Sequence, residues 1–200
     1  MNTNGKRIPL ILKETSRGME TCYIEDDMLG RRELECIGEI SESSAYELCQ
    51  QLRYLDRIDP QKEITLYIDS PGGSVSGGLA IYDVMKTIRA KVRTVCLGTA
   101  ASMAAVLLAA GDRRLIYPHS QVMIHDPLTL EASGSALHLQ EKSRRLMDTR
   151  RIICEILAEC CQKKLKQIYA KTAKDTWFSA SEALEFSLVD EIVETVRKAG

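Results

Sequence analysis

Val92-Arg-Thr-Val-Cys-Leu97 runs straight into Gly98-Thr-Ala-Ala-Ser102-Met-Ala-Ala-Val-Leu-Leu-Ala-Ala110-Gly111. The first stretch is rich in β-branched residues and reads as a buried strand. The second is Ala- and Leu-rich and closes at a glycine, which reads as a short helix with a C-terminal stop. Ser102 falls at the junction, in the first turn of that helix and among small residues. A serine hydroxyl there can be presented to a substrate while unpaired N–H groups of the first turn face developing negative charge. Serine is equally a favoured helix cap. The flanks do not spell G-x-S-x-G, so the junction alone supports both readings.

The neighbouring segments repeat the strand-then-helix theme. From Ser41, with Ser44 as the rival cap, Ala45, Leu48, Leu52 and Leu55 recur at helical spacing until Asp59-Pro60. Ile64-Thr-Leu-Tyr-Ile68 is a strand that ends in Asp69-Ser-Pro-Gly-Gly-Ser74, and Leu79, Val84, Met85 and Ile88 then mark a second helix. Strands are expected at Arg114–Tyr117 and Gln121–His125. The β-α-β-α-β succession with short loops predicts an α/β domain of parallel strands covered by helices. From Ser135 to Lys166 the apolar pattern predicts one long helix, longer than a small globule needs, projecting to pack on another subunit. A last helix starts at Ser179-Ala-Ser-Glu182, a capping-box spacing, and Val189–Val193 is a terminal strand. Residues 1–20 read as a mobile or partner-dependent arm.

The composition narrows the function classes. A chain of 200 residues fits one domain, and a net charge of −1 gives no general attraction to nucleic acid or an anionic membrane. The basic clusters Arg144-Arg145, Arg150-Arg151 and Lys163-Lys164-x-Lys166 are expected on solvated helix faces. The apolar run Ala100–Ala110 falls well short of the roughly 20 residues a membrane span requires. Ile8-Pro-Leu-Ile-Leu12 is too short and proline-broken for a secretion signal. Seven scattered cysteines without a C-x-x-C pair point to a reduced, cytosolic setting and lack zinc-ligand spacing.

A general base for Ser102 can be sought among three histidines. His138 lies on the long charged helix and His119 follows Pro118 in a turn. His125 ends a strand just before Pro127, at the carboxyl edge where open α/β sheets gather their ligands. Imidazole can take a hydroxyl proton and return it to a leaving amine, but a lone histidine is more often a packed one. An orienting carboxylate is also needed. Asp126 should point to the opposite face from His125, and Asp69 suits the turn. Spacing leaves Asp175, Asp190 and Asp148 equal. In Ser70-Pro71-Gly72-Gly73-Ser74 the paired glycines expose backbone amides. The N–H groups of Gly73 and Met103 are therefore candidate oxyanion donors, with a plain strand–helix turn as the other reading. A P-loop is excluded by the missing Gly-Lys-Ser/Thr.

Taken together, six segments resemble the Clp protease proteolytic-subunit family, peptidase family S14. They are Glu14–Gly18, Tyr67-Ile-Asp-Ser-Pro-Gly-Gly-Ser-Val75, Ala80–Asp83, Gly98–Met103, Val122-Met-Ile-His-Asp-Pro127 and Lys174-Asp-Thr-Trp-Phe-Ser-Ala180. The resemblance covers about residues 8 to 195. It implies Ser102 as nucleophile, His125 as base, Asp175 as orienting carboxylate, and the Gly73 and Met103 amides as oxyanion donors. The implied fold is a crotonase-like ββα superhelix with a protruding handle helix, here about residues 133–166.

The resemblance also implies two stacked heptameric rings, homo-oligomeric or mixed with a sister subunit, enclosing a chamber in the cytoplasm. An AAA+ unfoldase such as ClpX, ClpA or ClpC would feed it unfolded polypeptide. The subunit itself would use no cofactor and no metal, ATP being consumed by the unfoldase. Substrate would pair as a strand beside Asp126, Pro127 and Leu128, and Tyr67 and Tyr82 would build the unfoldase dock.

The chain departs from the family pattern in several places. Asp126 stands where glutamine is usual, Thr129-Leu130 where a glycine pair is, and Ala104 and Ser187 where single glycines are; the loop Gly111–Leu115 is shorter. A carboxylate beside the base should favour the imidazolium form. The departures near His125 keep open a weakly active or structural ring subunit supporting a sister chain; the implied fold and N–H oxyanion hole are also shared by acyl-CoA enzymes of crotonase type, which need no serine–histidine pair.

Overall fold

The computed structural model describes residues 9–16, 18–128 and 133–194. Its first element is an antiparallel hairpin, β1 (Leu10–Thr15) against β2 (Gly18–Tyr23), within and just beyond the segment read as a mobile or partner-dependent arm. Alternation across the pair puts Leu10 and Tyr23, Leu12, and Met19 on one face, and all four are exposed. Two further elements were not anticipated: α1 (Ile24–Gly30) and β3 (Glu33–Ile37), the latter alternating buried Leu34 and Cys36 with exposed neighbours.

Helix α2 (Glu42–Ile58) begins where Ser41 and Ser44 cap each other reciprocally. The Ser44 amide donates to Ser41 Oγ at 3.1 Å and the Ser41 amide to Ser44 Oγ at 2.9 Å. Both candidate caps therefore take part. Its buried stripe is Ala45, Leu48, Leu52 and Leu55, as the spacing predicted. Next come β4 (Ile64–Ser70), α3 (Val75–Thr87), β5 (Val92–Ala101) and α4 (Met103–Ala109). They are followed by β6 (Arg113–Ile116), β7 (Gln121–Ile124), α5 (Ala136–Cys160) and α6 (Leu165–Thr172). The chain closes with β8 (Thr176–Ser179), α7 (Ala180–Glu185) and β9 (Glu191–Ile192).

The main sheet has the order β3-β4-β5-β6-β9, all parallel, with β7 pairing β5 and β8. Only the β7–β8 ladder in it is antiparallel. The fold is thus α/β with a mostly parallel sheet, as expected. Helix α4 is buried along its whole length, which explains why it carries no polar side chain at all. Transferring each such Leu from water contributes about 2 kcal/mol, so this helix anchors the core that the sheet wraps.

One irregularity positions the site. Between the pairs Ile68–Cys96 and Ser70–Ala100, β4 advances two residues while β5 advances four. At this bulge Gly98 lies against Asp69; a Cβ at Gly98 would sit 2.7 Å from Asp69 Oδ1, which accepts the Thr99 N–H at 2.9 Å. Before the bulge β5 pairs with β6, and after it with β7. The strand is thereby redirected so that its end, and Ser102 beyond it, runs beside β7.

The single helix predicted from Ser135 to Lys166 is broken. The chain stops at Cys160, and Gln162 takes φ +52° so that its amide reaches Glu159 O while that of Lys163 reaches Ala158 O. This is a Schellman termination, for which glycine is the usual residue, so nothing in the sequence flagged it. The helix buries only its C-terminal part, at Ile153, Cys154, Ile156 and Leu157; Leu137 and Met147 stay exposed. Among the described residues no helix is long and apolar enough to cross a membrane.

Candidate active site

The strand registers bring three chain segments to one place. Ala101 pairs with Met123, so the end of β5 runs alongside the end of β7. Ile124 pairs with Thr176 across the antiparallel ladder, which sets His125 opposite Asp175. Ser102, His125 and Asp175 are therefore the residues immediately past, past and before three adjoining strands.

Ser102 occupies the N-cap position of α4 but does not cap it. Its backbone takes φ +56° and ψ −122°, outside the extended region N-caps use, and its side chain makes no capping bond. Its N–H donates to Met123 O at 2.9 Å. The hydroxyl lies instead 2.8 Å from His125 Nε2. Of the two readings open at this junction, the capping one is removed. Positive φ at a non-glycine costs about 1–3 kcal/mol, and the turn presents Oγ away from the helix it precedes.

His125 is nearly enclosed, with 14% of its side chain exposed, whereas Asp175 is 68% exposed. Nδ1 stands 3.2 Å from Asp175 Oδ1, yet the direction is off-axis and Nδ1 makes no hydrogen bond among the described residues. The ion-pair distance is in place and the alignment is not. The other carboxylates that spacing left open are occupied elsewhere: Asp190 pairs with Arg114, and Asp148 lies 3.8 Å from Arg144.

The Ser70–Ser74 loop packs directly on this junction. A Cβ at Gly72 (φ +93°) would lie 2.7 Å from both Ser102 Cβ and Ala101 O, and one at Gly73 (φ +144°) 2.4 Å from Ile40 O. Both positions therefore demand glycine. Ile40 bonds Gly72 O and the Ser74 N–H at 2.8 and 2.7 Å, which turns the intervening Gly73 N–H to the other side. The Met103 N–H is the first of α4 and has no intrahelical acceptor by position. Ser74 caps α3 through the Gly77 N–H at 3.0 Å and, with Ser76, donates to Glu42. Those two hydroxyls hold the Glu42 carboxyl below its ordinary range.

A small apolar pocket adjoins Ser102, lined by Val75, Val106, Ile124, Pro127, Ile153 and Leu157 among others. Pro127 thus touches the site, while Leu128 is 72% exposed; Thr129 and Leu130 lie outside the described residues. Tyr67, on β4, neighbours Glu33, Arg93 and Tyr117, whereas Tyr82, on α3, neighbours Lys86 and Glu159. Among the described residues no cluster suited to a metal ion occurs.

The model of the Clp protease family matches residues 16–196. The chain belongs to the Clp protease family. It is a peptidase subunit of that type, and the six motifs that suggested the family lie within or at the edge of the matched span.

Asp126, which strand alternation set aside as a partner for His125, is engaged by another residue. Its Oδ2 accepts from Arg150 Nε at 2.6 Å, so its charge is met by a guanidinium. Arg150 was expected on a solvated face with Arg151. It is instead largely covered, and it is the residue near the site that sequence reasoning missed. A paired Arg-Arg on a charged helix gives no signal of which one turns inward.

Proposed function

We propose that this subunit is a serine endopeptidase acting through an acyl-enzyme. Ser102 Oγ attacks the scissile carbonyl while His125 Nε2 takes its proton, then delivers it to the leaving amine. Asp175 holds the imidazole tautomer and offsets the charge the ring acquires. The Gly73 and Met103 amides receive the oxyanion. Water repeats the sequence to release the acyl group. No cofactor or metal takes part. The reading is carried by one observation, the 2.8 Å contact of Ser102 Oγ with His125 Nε2, made by a serine that abandons its capping role to form it.

In this reading the substrates are unfolded polypeptides, laid as a strand beside Asp126, Pro127 and Leu128. Membership of the family supports oligomeric rings and an unfoldase partner in general; in this reading the rings are two stacked heptamers around a chamber in the cytoplasm, fed by an AAA+ unfoldase docked at patches that include Tyr67 and Tyr82. A second reading, a structural ring subunit supporting a sister chain, is favoured by the off-axis approach of Asp175 to His125.

Fluorophosphonate labelling of the assembled chain separates the two. Stoichiometric modification of Ser102, abolished in Ser102→Ala, is the expected result. Labelling that needs an added sister subunit would favour the second reading. Coenzyme A binding without labelling would overturn both in favour of a crotonase-type enzyme.

A further inference from the structure

The segment that carries His125 is held at a joint where three helical and strand elements meet, and one guanidinium spans it. Arg150 comes from α5. Its Nε donates to Asp126 Oδ2 at 2.6 Å, immediately after the base, and its guanidinium carbon lies 4.3 Å from the centre of the Tyr169 ring on α6. The Asp126 backbone N–H donates to Thr172 O at 2.7 Å. Thr172 is the last residue of α6 and is 1% exposed, and its hydroxyl lies 3.6 Å from Cys154 Sγ, one turn beyond Arg150 on α5. Asp175 follows three residues later.

The base and its orienting carboxylate thus hang from the same joint, one on each side of the Asp126–Thr172 bond. Arg150 bears on both sides, through Asp126 and through Tyr169. At present the His125–Asp175 distance is short and the direction wrong, so a small rotation of either arm decides whether an aligned hydrogen bond forms. Asp126 Oδ1 is buried without a partner among the described residues, which gives the guanidinium an acceptor on which it can close as a bidentate pair.

Resting on the peptidase reading above, we infer that Arg150 is a positioning residue: through Asp126 and Tyr169 it sets the angle at which His125 meets Asp175. A lysine cannot reproduce this, because an ammonium lacks both the planar fork and the face that lies over an aromatic ring.

The test uses the assembled full chain and three readouts: the rate of Ser102 modification by a fluorophosphonate, kcat and KM on a short fluorogenic peptide, and the thermal midpoint. Arg150→Gln should lower the labelling rate and kcat together by about ten- to a hundredfold, the cost of a misplacement on the order of 1 Å. KM should change much less than kcat, because the backbone bond of Asp126 to Thr172 still holds the substrate-side strand in place. Arg150→Lys should recover only part of the loss. Asp126→Asn, which keeps size and the backbone bond, should act in the same direction, and it carries the test if Arg150→Gln does not fold. The double variant should be no worse than the poorer single one, since both remove one device.

Equal labelling rates in parent and variants, additive losses, a kcat loss that only tracks the fall in the midpoint, or a rise in KM as large as the fall in kcat would overturn the inference while leaving the peptidase reading intact. Failure of the parent itself to label would overturn that reading first, and the inference with it.

Discussion

Two serines in this chain hold a positive φ at helix ends, and they do so for different reasons. Ser187 has φ +66° just after α7. Its amide bonds Leu184 O and the next amide bonds Ala183 O, so the conformation closes the helix in a Schellman turn. Its carbonyl is gripped by Arg114. Ser102 has φ +56° just before α4, where helix starts do not call for it, and its side chain serves His125. At position 187 the backbone is strained because the fold needs the turn, and the residue type is incidental. At position 102 the strain has no local return, and only the hydroxyl explains it. The same unfavourable angle is thus a structural solution in one place and a functional mark in the other.

The largest effects should come from position 102. Ser102→Ala is expected to lower peptide turnover by a factor of about 10³ or more while leaving assembly intact. Ser102→Gly should lose activity as completely, yet unfold at higher temperature, gaining on the order of 1 kcal/mol from relief of the angle. Turnover and calorimetry on the same two proteins check this. A glycine variant no more stable than the alanine one would mean the turn is not strained, and the contrast with Ser187 would lose half its content.

Asp175→Asn should come next, with kcat falling by about 10² to 10⁴. The carboxylate is mostly solvent-exposed and approaches Nδ1 off-axis, so its removal should hurt less than His125→Ala. Steady-state kinetics on both variants would show the order. Equal losses would mean that His125 and Asp175 act as an aligned pair throughout turnover.

Much of this was readable from residues. The strand from Val92, the Ser-Pro-Gly-Gly turn, the α2 stripe and the Ser179–Glu182 capping box all depend on local chemistry, and the structure has each of them. Gly98–Ala101, read as the start of the helix, instead continues β5, because it pairs with β7, and the helix begins only at Met103. What was not legible depended on distant partners. Strand β8 is four residues long and exists because Thr176–Ser179 pairs with β7 some fifty positions earlier; without that register nothing ranks Asp175 above Asp190 or Asp148. The end of α5 was misplaced because a Schellman turn was built on Gln162 in place of glycine. Strand β3, by contrast, did carry the alternating pattern of Glu33-Leu-Glu-Cys-Ile37. Its brevity and two glutamates hid it, since strand content there is set by pairing with β4.

Arg114 provides a smaller test, directed at what holds the Ser187 turn. It reaches Cys160 O and Ser187 O, and pairs with Asp190 through its other nitrogens. The same guanidinium therefore ties the ends of α5 and α7. Its hydrogen bonds hold the Asp190 carboxyl below the ordinary carboxylate range, against the opposing effect of partial burial. A carboxylate with a lowered folded pKa contributes stability above its unfolded value, near pH 4, and loses it as pH falls through the folded value. Asp190→Asn should accordingly cost up to about 1 kcal/mol at neutral pH, allowing for solvent screening of a side chain 42% exposed. That difference should close on acidification below about pH 4. Denaturant titrations of parent and variant at several pH values would reveal it, and a pH-independent gap would assign the loss to packing instead.

The smallest effect is also the one that isolates the comparison. Ser187→Gly places the residue a left-handed helix end prefers into a turn that Ser187 joins through its backbone atoms alone, its carbonyl accepting from Arg114. The gain from removing the Cβ clash, about 1 kcal/mol, is partly offset by the greater freedom of glycine in the unfolded chain. A net stabilisation of a few tenths to about 1 kcal/mol is therefore expected, with kcat and KM unchanged because no Ser187 atom lies in the Ser102 site. Set beside Ser102→Gly, it makes the argument quantitative: one backbone angle and one substitution, with similar stabilisation in both but activity lost in only one. If Ser187→Gly were destabilising, the half-buried hydroxyl would have a partner in the assembled ring, and position 187 would join position 102 as a place where strain is kept for the side chain.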